Sequence, residues 1–179
     1  FKTASYMAGL YIHVPFCKQR CSYCDFYTQT DTRLRTDYLR AVRRELAERA
    51  HELNDEPVET IYFGGGTPSQ LTGEELNAIF HTISAHYDTS ACREITLEAN
   101  PDDITDDYLH ALRTDLPFNR ISLGVQSFDD EVLSLLGRAH TAADARAALR
   151  AAHERFENVS VDLMCGIPGQ SSESFARSL

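Results

Sequence analysis

Short runs rich in β-branched and aromatic residues alternate along the chain with segments whose apolar residues recur every three or four positions. The periodic segments predict amphipathic helices. The short runs predict five β-strands, at Leu10–Val14, Thr60–Phe63, Glu94–Ala99, Arg120–Val125 and Asn158–Met164. This alternation indicates a parallel sheet whose strands are joined by right-handed helical crossovers.

Several of the predicted helices carry a recognisable start or an apolar stripe. Thr72-Gly73-Glu74-Glu75 is typical of a capping box, and Thr105 with the two acids after it predicts another helix start. An apolar stripe predicts the first helix, with Leu39, Val42, Leu46, Ala50 and Leu53. A second stripe predicts a later helix, with Ala145, Leu149, Ala152 and Phe156.

The predicted fold class is α/β, with a partial parallel (β/α) barrel that is truncated after about five strands. Residues 171–179 read as the beginning of another helix, after which the sequence stops, so we expect an exposed sheet edge. Residues 1–6 precede Met7 and are interpreted as a leader of vector origin. Residues 7–179 are interpreted as the N-terminal part of a larger domain whose C-terminal part is absent.

Composition narrows the function classes. Of the 179 residues 42% are hydrophobic, which is enough for one domain with a core. The net charge of −10 argues against non-specific binding of nucleic acid. No apolar run approaches the ~20 residues of a membrane helix, although peripheral membrane contact stays open. An acidic chain without a signal peptide predicts a cytoplasmic protein.

Three cysteines with gaps of three and two residues follow the first predicted strand, at Cys17, Cys21 and Cys24. Thiolates are soft ligands, and three of them can hold a 4Fe–4S cluster whose fourth iron is open to a small molecule. A zinc site is the alternative, with His13 as the nearest candidate for a fourth ligand. A disulfide fits poorly with a reducing cytoplasm. Cys92 and Cys165 stand alone and are interpreted as core residues.

Candidate chemical groups follow each predicted strand. The three cysteines follow the first strand and residues 64–68 the second, Glu98 ends the third, Gln126 follows the fourth, and Asp162 lies late in the fifth. Because the carboxyl ends of parallel strands share one edge of the sheet, we expect these groups to meet in one site.

The cysteine spacing resembles that of the radical S-adenosylmethionine (SAM) superfamily. Longer strings resemble its coproporphyrinogen dehydrogenase-like branch, which contains oxygen-independent coproporphyrinogen III dehydrogenases and HemW-type haem chaperones: YIHVPFC, FGGGTPS, LEANP, ISLGVQSF, LLGRAH and VDLMCGIPGQ. The resemblance covers nearly everything from Leu10 to Gln170 and implies a barrel of the radical SAM type.

The resemblance also implies a set of binding residues, but no catalytic residue. Cys17, Cys21 and Cys24 would bind three irons of the cluster. His13 and His140 are not assigned as haem ligands. The implied contacts of SAM are Tyr11, Tyr23, Gly65, Gly66, Thr67, Glu98, Gln126, Arg138 and Asp162.

Two departures from the dehydrogenases favour the other class of this branch. The dehydrogenases continue with a further cysteine two positions after the last of the three, where this chain has Phe26, and they carry a longer N-terminal extension. Both departures favour a haem chaperone that delivers haem to apo-haemoproteins. Its expected ligands are the cluster, SAM and haem, and an electron donor is a further expected partner. The alternative is a dehydrogenase that converts coproporphyrinogen III to protoporphyrinogen IX. A zinc-stabilised binding module remains if iron is absent.

Overall fold

A computed structural model describes residues 8–179, and the predicted leader at residues 1–6 lies outside this range. The described chain contains one sheet in the order β1-β2-β3-β4-β5, and each neighbouring pair is parallel. The predicted α/β class and all five predicted strands are confirmed. The strands are β1 (Ala8–Val14), β2 (Val58–Gly65), β3 (Glu94–Ala99), β4 (Arg120–Gln126) and β5 (Asn158–Leu163).

Helices occupy the connections between the strands. The Thr72 hydroxyl accepts a hydrogen bond from the Glu75 amide, and the Thr72 amide donates to the Glu75 carboxylate in return, so the predicted capping box is confirmed. Thr105 likewise caps its helix by accepting from the Tyr108 amide. The described α-helices are α1 (Arg35–Arg49), α2 (Gly73–His86), α3 (Asp106–His110), α4 (Asp130–Leu135), α5 (Ala142–His153) and α6 (Ser172–Ala176).

The helices differ from the sequence prediction in detail. The α1 helix ends at Arg49, and its predicted stripe continues through a tighter turn over Ala50–Leu53. The α5 helix ends before Phe156, which nevertheless lies in the core with 2% of its surface exposed. The α4 helix was not predicted, because six residues are too few to show a helical period.

The two faces of the sheet differ in chemistry, because successive strand residues point to opposite sides. On the helix-covered face, Phe63, Leu97 and Leu123 are fully buried in one hydrophobic core with α1, α2, α3 and α5. The opposite face carries polar residues, and its strand ends form one side of the site described below. That face includes Tyr62, Thr96, Glu98, Ser122, Ser160 and Asp162.

Within residues 8–179, no helix combines the length and the apolar character that a membrane span requires.

Candidate metal and cofactor site

A cleft of about 290 Å³ lies at the carboxyl ends of the strands, the edge where parallel sheets bind their ligands. The convergence that the sequence predicts is therefore confirmed. Eleven of the twelve predicted site residues line the cleft: Cys17, Cys21, Cys24, Tyr23, Gly65, Gly66, Thr67, Glu98, Gln126, Arg138 and Asp162.

The loop that carries the three cysteines is held at both ends. The Cys17 amide donates to the Gln29 carbonyl at 3.0 Å, and the Gln29 amide donates to the Pro15 carbonyl at 2.7 Å. On the other side, the Gln19 side chain donates to the Gly137 carbonyl at 3.0 Å. The Ser22 amide donates to the Leu136 carbonyl, which directly precedes Gly137, at 3.3 Å. These bonds fix the loop between the end of β1 and the segment that follows α4.

Two of the three thiols accept hydrogen bonds from side chains of other loops. The Thr67 hydroxyl lies 3.3 Å from Cys17 Sγ, and Arg138 Nη1 lies 3.4 Å from Cys21 Sγ. Burial raises the pKa of the Cys17 thiol, and the Thr67 hydrogen bond opposes this shift. A bound metal would remove the proton from such a thiol, because the thiolate is the ligand.

His13 is not placed to complete a zinc site with the cysteines. Its Nε2 lies 3.0 Å from the Tyr27 carbonyl, and its Nδ1 lies 3.3 Å from the Tyr11 hydroxyl. Among residues 8–179, no group of three His, Cys, Asp or Glu side chains has the arrangement of a single-metal site. A 4Fe–4S cluster binds each cysteine through a different iron, so its ligands stand farther apart than those of one ion.

The glycine run begins inside β2 rather than after it, because β2 extends through Gly65. Gly65 has a φ of 111°, which a side chain disfavours, and its amide donates to Glu98 Oε2 at 3.1 Å. At Gly66, a Cβ would lie 2.8 Å from the Val14 carbonyl oxygen and from the carbonyl carbon of Pro15. Glycine is thus required where β2 passes the cysteine loop.

Glu98 lies between the glycine run and two tyrosines. The Tyr62 hydroxyl donates to Glu98 Oε1 at 2.6 Å, and burial together with this carboxylate raises the Tyr62 pKa. Tyr11 is stacked on Tyr62 with ring centroids 6.0 Å apart, and 57% of its surface is exposed. Tyr11 is the predicted site residue that does not line the cleft. Burial and the Glu98 carboxylate raise the pKa of Tyr11, so Tyr11 still lies within electrostatic reach of Glu98.

Arg138 joins several parts of the cleft. Its Nη2 donates to Asn100 Oδ1 and to the Gly124 carbonyl, both at 2.6 Å. Its Nη1 also lies 3.4 Å from the Tyr23 hydroxyl. Burial is the main reason that the Tyr23 pKa rises to about 12, and the Arg138 charge opposes it. Arg138 Nε is buried and has no hydrogen-bond partner within the described chain.

Gln126 and Asp162 lie at the open side of the cleft. Gln126 is the last residue of β4 and has a φ of 68°, an unusual backbone conformation for a residue with a side chain. Asp162 is exposed and accepts weak hydrogen bonds at 3.4 Å from the Ser122 hydroxyl. Both side chains are therefore accessible to a ligand in the cleft.

The sequence prediction missed Asn100 and Tyr62. Asn100 lies in the quoted string LEANP, directly after β3, and its side chain contacts both Thr67 and Arg138. Its position after a strand was the available signal. Tyr62 is a strand residue whose type alone predicts only packing, so nothing marked its contact with Glu98.

The remaining histidine and cysteines lie apart from these contacts. His140 is 3% exposed, and its Nε2 lies 3.1 Å from the Val125 carbonyl. Cys92 packs against the core, as predicted. Cys165 is exposed in the loop after β5, so its interpretation as a core residue was wrong. An apolar neighbourhood in sequence did not ensure burial, because the loop turns it outward.

A sequence model of the radical SAM superfamily matches residues 11–179. The chain belongs to the radical SAM superfamily. This family implies a 4Fe–4S cluster and SAM, which agrees with three thiols and a glycine-rich loop lining one cleft. The buried, unpartnered Nε of Arg138 also fits a cleft that is completed by a polar ligand.

Similar members of the superfamily include heme chaperones named HemW. The HemW of Mycobacterium tuberculosis is 39% identical over 176 residues, which cover 96% of this chain and 45% of that protein. The HemW of Escherichia coli K12 is 39% identical over 169 residues, which cover 92% and 44%. The chain thus spans about half the length of the curated relatives it matches.

A solved structure of the superfamily has the same fold. The coproporphyrinogen III oxidase HemN of Escherichia coli, described as a radical SAM enzyme, superimposes with a TM-score of 0.86 at 32% sequence identity. The superposition covers 98% of this chain and 42% of HemN. The fold of this chain therefore belongs to a known architecture.

Proposed function

We propose that Cys17, Cys21 and Cys24 bind a 4Fe–4S cluster, and that the same cleft binds SAM beside it. The observation that carries this proposal is the convergence of three thiols, a glycine-rich loop and charged side chains from five separate segments on one cleft. Three thiolates leave one iron of such a cluster without a protein ligand. The amino acid moiety of SAM can coordinate this open iron.

The cleft offers complementary groups to each part of SAM. Glu98 supplies a carboxylate for the amino group or the ribose, and Gly65, Gly66 and Thr67 let the backbone approach the amino group closely. Arg138 suits a carboxylate, because a guanidinium donates paired hydrogen bonds. Tyr23 offers an aromatic ring for the adenine. Further polar contacts come from Gln126 and Asp162, and Tyr11, which is stacked on Tyr62, contacts SAM from beside the cleft.

When bound, the two groups supply one-electron cleavage of a carbon–sulfur bond in SAM. The contribution of the chain is to orient SAM beside the cysteine loop and to exclude water. The loop is suited to this role because it is tied to β1 and to the segment after α4. We assign no catalytic residue.

We further propose that the whole protein is a HemW-type haem chaperone, which holds haem and delivers it to an apo-haemoprotein. Phe26 supports this choice: it lines the cleft where the dehydrogenases have a fourth cysteine, and 64% of its surface is exposed. The similarity to the named HemW proteins points the same way. The haem ligand is not assigned to a residue of this chain.

A second candidate is an oxygen-independent coproporphyrinogen III dehydrogenase. Its support is the TM-score of 0.86 to HemN. The shared architecture holds cluster and SAM in either case, so the fold alone does not separate the two functions. We place the protein in the cytoplasm, whose reducing conditions suit three unpaired cysteines in one loop.

The cofactor proposal is tested by anaerobic reconstitution with iron and sulfide, followed by reduction and EPR spectroscopy with and without SAM. A 4Fe–4S signal that changes on adding SAM is expected for the wild type. Cys21→Ser should lose most of the cluster iron, whereas the matched control Cys165→Ser should keep it, because Cys165 is exposed outside the cleft. Zinc in place of iron in the wild type, or equal iron in both variants, would refute the proposal.

Haem titration and product analysis then separate the two functions. The full-length protein with its cluster is incubated with haem in one arm, and with coproporphyrinogen III and an electron donor in the other. Saturable haem binding followed by transfer to an apo-haemoprotein is expected for the chaperone. Accumulation of decarboxylated tetrapyrrole would instead establish the dehydrogenase.

A further inference from the structure

A continuous chain of hydrogen bonds connects two of the three cysteine thiols. It runs from Cys17 Sγ to Thr67 Oγ1 at 3.3 Å, and from Thr67 Oγ1 to Asn100 Nδ2 at 3.2 Å. It continues from Asn100 Oδ1 to Arg138 Nη2 at 2.6 Å, and from Arg138 Nη1 to Cys21 Sγ at 3.4 Å. We call these five residues the thiol arc. Asn100 is its central member and touches neither thiol.

The chemistry of the side chains fixes the direction of every bond in the thiol arc. A guanidinium has donors only, so the atom of Asn100 that faces Arg138 must be the carbonyl oxygen. The amide nitrogen of Asn100 therefore faces Thr67 and donates to its hydroxyl oxygen. With that oxygen accepting from Asn100, the Thr67 proton is free to point at Cys17 Sγ. One orientation of the Asn100 amide thus aims two donors at two sulfurs.

The surroundings hold this orientation in place. The main-chain N–H of Asn100 donates to Ser69 Oγ at 3.4 Å, and the main-chain carbonyl of Asn100 accepts from the Asp103 amide at 3.0 Å. Thr67 is only 4% exposed, so its hydroxyl has little access to water. Arg138 is anchored separately by the Gly124 carbonyl. The thiol arc therefore consists of groups whose backbones are already fixed.

We infer that Asn100 is a positioning residue that raises the reduction potential of the proposed cluster, because it orients Thr67 and Arg138 toward the cysteine ligands. The inference rests on the proposed function in requiring a cluster at these cysteines. Hydrogen bonds to cluster sulfurs favour the reduced form, which carries more negative charge, and so raise the reduction potential. Within the described chain, side-chain donors reach Cys17 and Cys21, whereas none is found at Cys24.

The primary measurement is a redox titration of the reconstituted protein, monitored by EPR. Thr67→Val removes one donor with little change in shape, and Asn100→Ala removes the residue that orients both donors. We expect each variant to lower the reduced-to-oxidised ratio at a fixed potential. About tenfold is expected for Asn100→Ala, which for a one-electron couple equals about 59 mV. Because Asn100 acts partly through Thr67, the double variant should fall short of the summed shifts.

Two controls separate positioning from general damage. Thr67→Ser keeps the hydroxyl and should restore the wild-type potential. Asn77→Ala removes a similar side chain from the exposed surface of α2 and should leave the potential unchanged. A merely structural role for Asn100 would lower stability without this pattern of shift and rescue.

A second measurement examines the thiol arc without the cluster. In the NMR spectrum of the apo protein, the Asn100 side-chain amide should exchange its protons more slowly than that of Asn77 and should shift in Thr67→Val. An Asn100 amide that exchanges as fast as that of Asn77 would overturn the inference. So would a cluster whose potential is the same in wild type, Thr67→Val and Asn100→Ala; the proposed function would then survive alone. If the wild type assembles no cluster, the proposed function and the inference both fail, even with a protected amide.

Discussion

At the scale of single residues, the site depends on side chains whose charge or burial is set by neighbours in other loops. The cysteines could be recognised from their spacing, and the glycine run from its place after a predicted strand and behind the cysteines. Tyr62 could not, because its contact with Glu98 depends on how neighbouring strands align, and Asn100 had only its position after β3 as a signal. The tests at this scale therefore concern individual groups.

Replacing Glu98 tests its proposed contact with the amino group or the ribose of SAM. Glu98→Gln keeps the shape and an oxygen for the Gly65 amide but removes the negative charge. A hydrogen bond to a charged group contributes about 1.5–3 kcal/mol, so we expect the Kd for SAM to rise about tenfold to a hundredfold. Calorimetric titration of the reconstituted protein measures this. Glu94→Gln, at the opposite end of β3, is the matched control, and an equal loss in both variants would contradict the assignment.

His140 predicts a pH dependence of stability. Burial, aided by the positive charge of Arg138, lowers its pKa below the ordinary 6.5. Its Nε2 carries the proton, since it faces the Val125 carbonyl. Below pH 6.5 the unfolded state therefore binds a proton at His140, whereas the folded state stays unprotonated there. The free energy of unfolding consequently falls as the pH falls, by at most about 1.4 kcal/mol per pH unit.

The check is chemical denaturation between pH 7.5 and the lower pH limit of folding, at ~0.5-unit steps through the ordinary histidine pKa. The wild type should lose stability relative to His140→Gln as the pH falls, whereas the exposed His153→Gln should follow the wild type. Parallel curves for wild type and His140→Gln would show that His140 does not carry this dependence.

At the scale of elements, the site exists because the ends of β1 and β2 approach each other closely. The Gly66 amide donates to the Val14 carbonyl at 2.8 Å, and this contact continues the pairing of β1 with β2 into the loop region. The cysteine loop starts at the same point. A change in the spacing of these strands would therefore move Cys17 relative to the glycine run.

Gly66→Ala tests this spacing. The added Cβ would lie within 3.0 Å of backbone atoms of Val14, Pro15 and Phe16, none of which can rotate away. We expect a loss of about 1–3 kcal/mol in the free energy of unfolding and weaker cluster assembly. Gly73→Ala is the control, because its Cβ would meet nothing within 4 Å at the start of α2, and a gain of up to ~1 kcal/mol is expected. Equal stability of both variants in denaturant titrations would contradict the close approach.

At the scale of the whole molecule, one sheet separates an apolar layer from a polar one. The helices bury the apolar face, and the polar face leads to the cleft. β1 and β5 are the two edge strands of the described sheet. Stability should therefore come mainly from the helix-covered face, while the polar face can serve binding.

Two neighbouring residues of β4 provide the test of this division. Leu123 is fully buried on the helix-covered face, whereas Ser122 lies on the polar face. Leu123→Ala should cost about 2–5 kcal/mol because it leaves a cavity in the core. Ser122→Ala should cost about 1 kcal/mol, because the Ser122 hydroxyl accepts one short hydrogen bond from Ser160 and donates only weakly to Asp162. Thermal and urea unfolding measure both, and a larger loss for Ser122→Ala would reverse the assignment of the faces.

The sequence by itself determined the five strands, most of the helices, the three cysteines and the edge at which the functional groups meet. These follow from local periodicity and from the rule that parallel strands end on one side, neither of which needs three-dimensional coordinates. The tertiary structure alone decided which loops touch: that Asn100 joins Thr67 to Arg138, that Tyr11 stands outside the cleft, and that Cys165 is exposed. Such contacts depend on the twist and register of neighbouring strands, which residues distant in sequence set together.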